Sequence, residues 1–501
     1  MSQTAAVLPL PEAQARALTH KLLWGAVAAI ALLSVFWRQN GATSDVSWLI
    51  SMCARILDGE RGWIDIFETT PPVPTLIYMP AVILSRMAGI SSEVAVFALT
   101  YVTTFATLAF TARLLPATGG AAGSGGWRII FPSAVCLFLF SNDAFAQREY
   151  FAALFCLPMF AIFVSLSEGT SWPMLPARVT AAALAGLAFA IKPPLFALPF
   201  IALATFELFR TRRIAFLFAS KLPLSALIGV AITGASLALF PTYLGGVTTL
   251  MRDVYVPIRL PLAHGLQYAF LGTMIAAVAA AYLALRTPAP HAIQLSLTLA
   301  SVFVAIYFAQ GKYFSYHILP ASLFAIIALG LTLGGGNRSA MHLVAGAAAA
   351  ISASALLLAG FDDGRARLSD HSWSKHLTRP TAMAISPMIS TSFPIAERIG
   401  ARWVDRIHGQ WVVHYTRIAL GRDTLSEAER QRYQSYYDAE LARTRAVIRE
   451  KNPELIFKSA SARHSWLVDA LLVEDPTLLD NYDVFAHEGN AVILRRRDAV
   501  R

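Results

Sequence analysis

The chain has 501 residues, of which 56% are hydrophobic and 14% charged, where a soluble globular chain carries roughly a quarter charged residues. That balance excludes an ordinary soluble enzyme and points to an α-helical polytopic membrane protein. The formal net charge of +10 does not mark a partner of nucleic acid, because no dense Lys/Arg block with interleaved aromatics is present; membrane orientation and anionic lipid account for it.

In chain order, residues 1–20 are polar, and the apolar run 21–37 lacks a small-x-small cleavage site, so it reads as a retained first crossing with Arg16 and Lys21 holding its start in the cytoplasm. An acid-rich loop follows, carrying Asp45, Asp58, Glu60, Asp65 and Glu68 in a chain that otherwise avoids charge. The run 74–87 is apolar but short and contains Pro80 and Arg86, and it is expected to lie in the membrane interface. Further crossings are expected at 93–115, 127–140, 150–166, 178–190, 194–209, 222–240, 266–285, 293–309, 319–333 and 343–360, with a glycine-rich turn at 118–126 on the inner side. That makes about 11 spans of bilayer length plus the interfacial helix. The strongest basic cluster, Arg210-Thr211-Arg212-Arg213, then falls inside, as orientation by positive charge requires.

Beyond 360 the composition changes to a charged, mixed tail, so two domains are expected, a membrane domain over 1–360 and a soluble α/β domain over 361–501. Within the tail, strands are expected at 381–386 and 455–458, helices at 425–450 and 464–473, and a hairpin from 483–487 to 491–496 around Glu488-Gly489-Asn490. Neither a glycine-rich phosphate loop nor an internal repeat is present. Cys53, Cys136 and Cys156 show no metal or redox spacing and read as small buried hydrophobes.

On this topology the polar groups at the span ends converge on one membrane face. They are the first loop, Arg148-Glu149, Lys192-Pro193-Pro194, Arg259 in the long loop 241–264, and Lys312-Tyr313-Phe314-Ser315-Tyr316-His317. Carboxylates there can take a proton or bind a cation, and Lys and Arg can hold a phosphate. Such a set suits a reaction on an anionic, lipid-tethered substrate.

Asp45 just past the first span, the Gly59-Glu60-Arg61-Gly62-Trp63 turn, Phe67-Glu68-Thr69-Thr70-Pro71-Pro72 before an apolar helix, and an Arg-acid pair in the next outer loop together resemble the GT-C glycosyltransferases. Within them the chain is most similar to the branch of the protein O-mannosyltransferases and the lipid A aminoarabinose transferase. The likeness covers about residues 20–320 as architecture, with motifs confined to the first two outer loops. It departs from the family pattern in the extra Thr between Glu68 and the prolines, and in Glu149 where Asp is common.

The resemblance implies transfer of a sugar from a polyprenyl-phosphate donor to a hydroxyl of a lipid, glycan or protein acceptor, with inversion, on the extracytoplasmic face of the inner membrane. The tail would lie on that same side. Asp45 corresponds to the family's general base, with Glu149 and Glu68 as further catalytic candidates. Glu149 would orient partners of Asp45, contact the sugar, or bind a divalent cation such as Mg or Mn; no cofactor is certain. The departing phosphate would be stabilised by Lys312, Lys192, Arg259 and His317, in falling order of expectation, with Arg148 and Tyr316 also contacting substrate.

Each residue also has a structural explanation. Asp45 can cap a helix, Glu68 can shape a turn, Arg148-Glu149 can be a local pair, Lys192 and Lys312 can anchor spans at the headgroups, and His317 can sit in an aromatic belt. The main rival function is a transporter or flippase for a lipid-linked or anionic solute. Against it, the charges gather on one face and the spans do not fall into two related halves.

Overall fold

The computed structural model describes residues 12–38, 41–115, 126–167, 173–286, 291–333, 340–361 and 371–499. Most of the expected glycine-rich turn, and the stretch 362–370 that follows the expected domain boundary, lie outside the described residues. Among the described residues seven helices are long and apolar enough to cross a membrane: Ala17–Trp37, Ser92–Leu114, Arg148–Ser167, Leu222–Leu239, Tyr268–Leu285, His291–Gln310 and Ser315–Leu333. The other expected crossings fall on shorter apolar helices, Trp127–Phe140, Leu175–Ile191 and Gly346–Ala359, and on the 14-residue helix Leu198–Thr211.

Arg148–Ser167 lies at the centre of the bundle, with nine-tenths of its apolar window buried. Its sequence is apolar on every side, which is what a helix enclosed by other helices requires. Arg148–Ser167 and His291–Gln310 each have 20 residues, about 30 Å of helix, the thickness of a hydrocarbon core. Both carry polar layers at opposite ends. At one end are Arg148, Glu149 and Gln310; at the other, Ser167 and His291 engage the fully buried Glu207, which also pairs with Arg210 at 2.8 Å. The Arg210–Arg213 cluster therefore sits on the face opposite Glu149.

Two elements differ from expectation. The acid-rich loop begins with a helix, Ser44–Leu57, whose Val46, Leu49, Ile50 and Cys53 are buried at helical spacing. The apolar segment after Pro71-Pro72 is two short helices, Pro72–Leu76 and Met79–Ala88. The second is about 15 Å long, too short to cross a bilayer.

The tail folds around a five-stranded sheet in the order β2-β1-β3-β5-β4, with β1 Thr381–Ile385, β2 Arg402–Trp403, β3 Leu455–Ser459, β4 Tyr482–Glu488 and β5 Ala491–Arg496. β2, β1 and β3 are parallel; β3, β5 and β4 are antiparallel. The alternation of strand residues divides the sheet into two faces. Met383, Ile385, Ile456 and Leu494 pack with Leu441, Ile448 and Leu467. Ala382, Ala384, Phe457 and Ile493 join Trp411 and Val412 in an apolar core continuous with that of the membrane helices. β2 and the helices Ile395–Arg398 and Trp411–Leu420 were not anticipated.

Polar contacts complete the docking of the tail. The Phe67 N–H donates to the Arg406 carbonyl at 2.6 Å, Arg55 to the Asp405 carbonyl at 3.0 Å, and Tyr436 to Asp253 at 3.1 Å. Arg398 pairs with Glu93 at 3.2 Å.

Candidate active site

Between one end of the membrane helices and the tail lies a cavity of about 460 Å³. Its lower wall includes Asp45, Trp48, Glu68, Thr70, Asp143, Arg148, Tyr255 and Tyr316; Met388, His408, Trp411, His414 and Tyr415 of the tail close it from above. The acid-rich segment expected to hold the site is thus one wall, and a segment some 360 residues later in the chain is another.

The three carboxylates on the wall differ in what holds them. Glu68 accepts from the Trp48 indole N–H at 2.6 Å through one oxygen and from the Thr70 backbone N–H at 2.6 Å through the other. Burial by itself would raise its carboxyl, but His408, Arg148 and the Thr70 bonds outweigh that and hold it below the usual range. His408 is correspondingly pushed down by burial, with Glu68 and Asp45 acting against the shift. Asp143 accepts from the Ser315 hydroxyl. Asp45 stands in the first turn of Ser44–Leu57, half-buried, and its carboxylate has no hydrogen bond or ion pair among the described residues. Thr43, not Asp45, occupies the cap position, so capping does not account for the acid.

Behind the cavity wall a second polar group surrounds Glu149, which is fully buried. Lys192 pairs with it at 2.9 Å, the His317 ring nitrogen lies 3.5 Å away and the Arg148 guanidinium 3.9 Å away. Lys192 also donates to the Gln310 side-chain oxygen, and Arg148 to the Thr70 hydroxyl on the cavity wall. Several buried polar atoms here have no hydrogen-bond partner among the described residues: Arg148 Nε, Glu149 Oε2, His317 Nδ1 and Gln310 Nε2. Native interiors leave few such atoms, so their concentration beside one cavity marks a place built for more polar contact than the folded chain supplies.

No protein-family model matches the sequence. No curated relative matches it either. The fold does have solved counterparts. Over 94% of this chain and 97% of the other, it superposes on ArnT from Cupriavidus metallidurans bound to undecaprenyl phosphate, with a TM-score of 0.53 and 14% identity. The apo form of that protein aligns over 96% and 98%, with a TM-score of 0.56 and 13% identity. The chain has the ArnT fold. ArnT is a lipid A aminoarabinose transferase of the GT-C type, and the likeness extends through the tail, well past the 20–320 region that the sequence motifs suggested.

On this ArnT-like frame the expected site residues separate into three groups. Asp45, Glu68, Arg148 and Tyr316 line the cavity. Glu149, Lys192 and His317 form the charged cluster behind it. Lys312 and Arg259 are committed elsewhere: the Lys312 ammonium donates to the Tyr255 carbonyl at 2.7 Å and to that of Ile258, and Arg259 donates to the Phe308 carbonyl at 2.6 Å. Burial and the like charge of Arg259 lower Lys312 to about 8. Among the described residues no three His, Cys, Asp or Glu side chains assemble as metal ligands, and Glu149 is engaged by cations rather than by further acids.

Sequence reasoning assigned no role of their own to Trp48 or Tyr255 and singled out no residue of the tail. The stretch His408-Gly409-Gln410-Trp411-Val412-Val413-His414-Tyr415 carries a usable signal, since it spaces His and aromatic residues at helical intervals on one face. The remaining acids of the first loop are paired with neighbours: Asp58 with Arg86 at 3.0 Å, Glu60 with Arg55 at 2.6 Å and Asp65 with Arg61 at 2.8 Å.

Proposed function

We propose that the protein is an inverting glycosyltransferase that uses a polyprenyl-phosphate sugar, with Asp45 as general base. The observation that carries this reading is the unpartnered carboxylate of Asp45 on the wall of a cavity whose other acids, Glu68 and Asp143, are already hydrogen-bonded. Asp45 takes the proton of an acceptor hydroxyl as that oxygen attacks the anomeric carbon. The bond from that carbon to the phosphate oxygen breaks, and its electron pair leaves with the polyprenyl phosphate, a stable anion that needs no general acid.

Arg148 on the wall and Lys192 behind it neutralise the leaving phosphate. Glu149 holds those two cations at the correct spacing, and the rings of Tyr255, Tyr316 and Trp411 face the sugar and acceptor. Lys312, ranked first for the phosphate on sequence grounds, gives way to Arg148. The cavity and tail lie on the extracytoplasmic side of the inner membrane, opposite the Arg210–Arg213 cluster. The undecaprenyl phosphate bound by the ArnT structure supports the donor class. The acceptor is a hydroxyl-bearing lipid, glycan or protein.

Asp45→Asn tests the reading. In membranes supplied with lipid-linked sugars it is expected to lower transfer by about 100-fold or more, the usual contribution of a positioned base, while undecaprenyl phosphate still binds. Normal transfer by the Asn variant would remove Asp45 from the chemistry.

A further inference from the structure

Lys312 lies in the turn Gly311–Tyr313 between two membrane helices, yet it is almost wholly buried and has no carboxylate within ion-pair distance among the described residues. Its charge is met instead by carbonyls and ring faces. Besides the Tyr255 and Ile258 carbonyls, the ammonium stands 4.2 Å from the centre of the Tyr255 ring and 4.4 Å from that of Tyr415. Those rings belong to different parts of the molecule: Tyr255 to the long outer loop, Tyr415 to the tail helix Trp411–Leu420. Both line the cavity. They lie 5.8 Å apart, and Tyr255 meets Trp411 edge-on at 5.7 Å.

The turn itself is built to hold this position. Gly311 has φ +63°, and a Cβ there would come within 2.6 Å of Arg259, so the close approach of the Arg259 side chain needs glycine. The Gly311 carbonyl accepts from the Leu260 N–H at 2.9 Å, and the Tyr313 carbonyl from Gln267 at 2.8 Å.

We propose that Lys312 is a positioning residue that joins three separate segments, the membrane turn, the outer loop and the tail, and so sets the aromatic wall of the cavity. A desolvated ammonium between two ring faces is held by the ring quadrupoles and by the carbonyls it donates to, and removing it leaves both carbonyls without their donor. The role concerns the site to which the glycosyltransferase reading also refers, but it rests on contacts that exist without substrate.

The test uses the full chain in lipid nanodiscs as wild type, Lys312→Met and Lys312→Arg, with hydrogen exchange and undecaprenyl phosphate binding measured on each. Lys312→Met is expected to speed amide exchange in both 251–260 and 411–420 by about tenfold, leaving β3 unchanged, as a local opening does. Lys312→Arg, which keeps a cation over the rings, is expected to restore most of the protection. Affinity for undecaprenyl phosphate should change by less than about threefold in either, because no phosphate contact is lost. A loss of about tenfold or more in that affinity with unchanged exchange would make Lys312 a phosphate ligand and overturn the proposal; faster exchange confined to one segment would overturn the three-way joint. If Lys312→Met does not fold, Lys312→Arg decides, with wild-type exchange in both segments expected and faster exchange overturning. If even the wild type fails to bind undecaprenyl phosphate, the donor assignment fails, while the exchange comparison still decides the role of Lys312.

Discussion

At the scale of single residues, partners distinguish acids that composition makes alike. Asp45 and Glu68 are both carboxylates near the first span, and what separates them is the two donors aimed at Glu68. Those donors also predict a substitution. A Gln at 68 has one acceptor oxygen and one NH2, so either the Trp48 indole or the Thr70 N–H would face a donor. Glu68→Gln is therefore expected to cost about 2 kcal/mol of stability and to weaken transfer by displacing Trp48. Thermal unfolding in detergent checks the first, and a wild-type melting curve with normal activity would show that the network holds nothing in place. The Thr70 bond is a local turn within the acid-rich motif, but the Trp48 contact spans 20 residues and the charge effect of His408 comes from the tail, so neither of those could be read from it.

At the scale of elements, Ser44–Leu57 was obscured by its own charges. The density of acids and glycines around 58–68 suggested an extended loop, and the 14-residue helix before it, too short to span a membrane, lay outside the search for crossings. The small tail helix Ile395–Arg398 bears on pH response. Burial, together with the nearby Glu93, raises the Glu397 carboxyl from 4.5 to about 7, with Arg398 acting against the shift. The folded protein thus holds a proton that the unfolded chain releases between those values. Stability from this group is full below about pH 4.5 and is lost as the pH rises through 7. Glu397→Gln should flatten that slope and make the protein more stable than wild type above pH 8 by about 3 kcal/mol. Melting temperatures measured across pH 5 to 8.5 decide it; parallel curves for the two proteins would refute the assignment.

At the scale of the whole molecule, two polar layers about 30 Å apart on the same helices give the bundle a direction. One surrounds Glu149 and the cavity, and the other Glu207 and the basic cluster. The three native cysteines are buried, so introduced ones report cleanly. With a membrane-impermeant maleimide applied to spheroplasts, Asp423→Cys in the tail should be labelled and Arg212→Cys should not. The reverse pattern would invert the proposed topology.

The membrane class, the places of the apolar helices and most tail strands and helices were legible in the sequence alone, because apolar length and two- or 3.6-residue periodicity are local properties of the chain. Asp45 stood out there as a candidate too, because it sits at a span end beside a recognisable motif. Which charged residues line the cavity and which are held by partners elsewhere was decided only by the tertiary structure. Lys192 and Lys312 are both lone lysines at span ends. Which of them sits beside Glu149, and which between the Tyr255 and Tyr415 rings, depends on a loop and a tail brought to the membrane helices by a continuous apolar core.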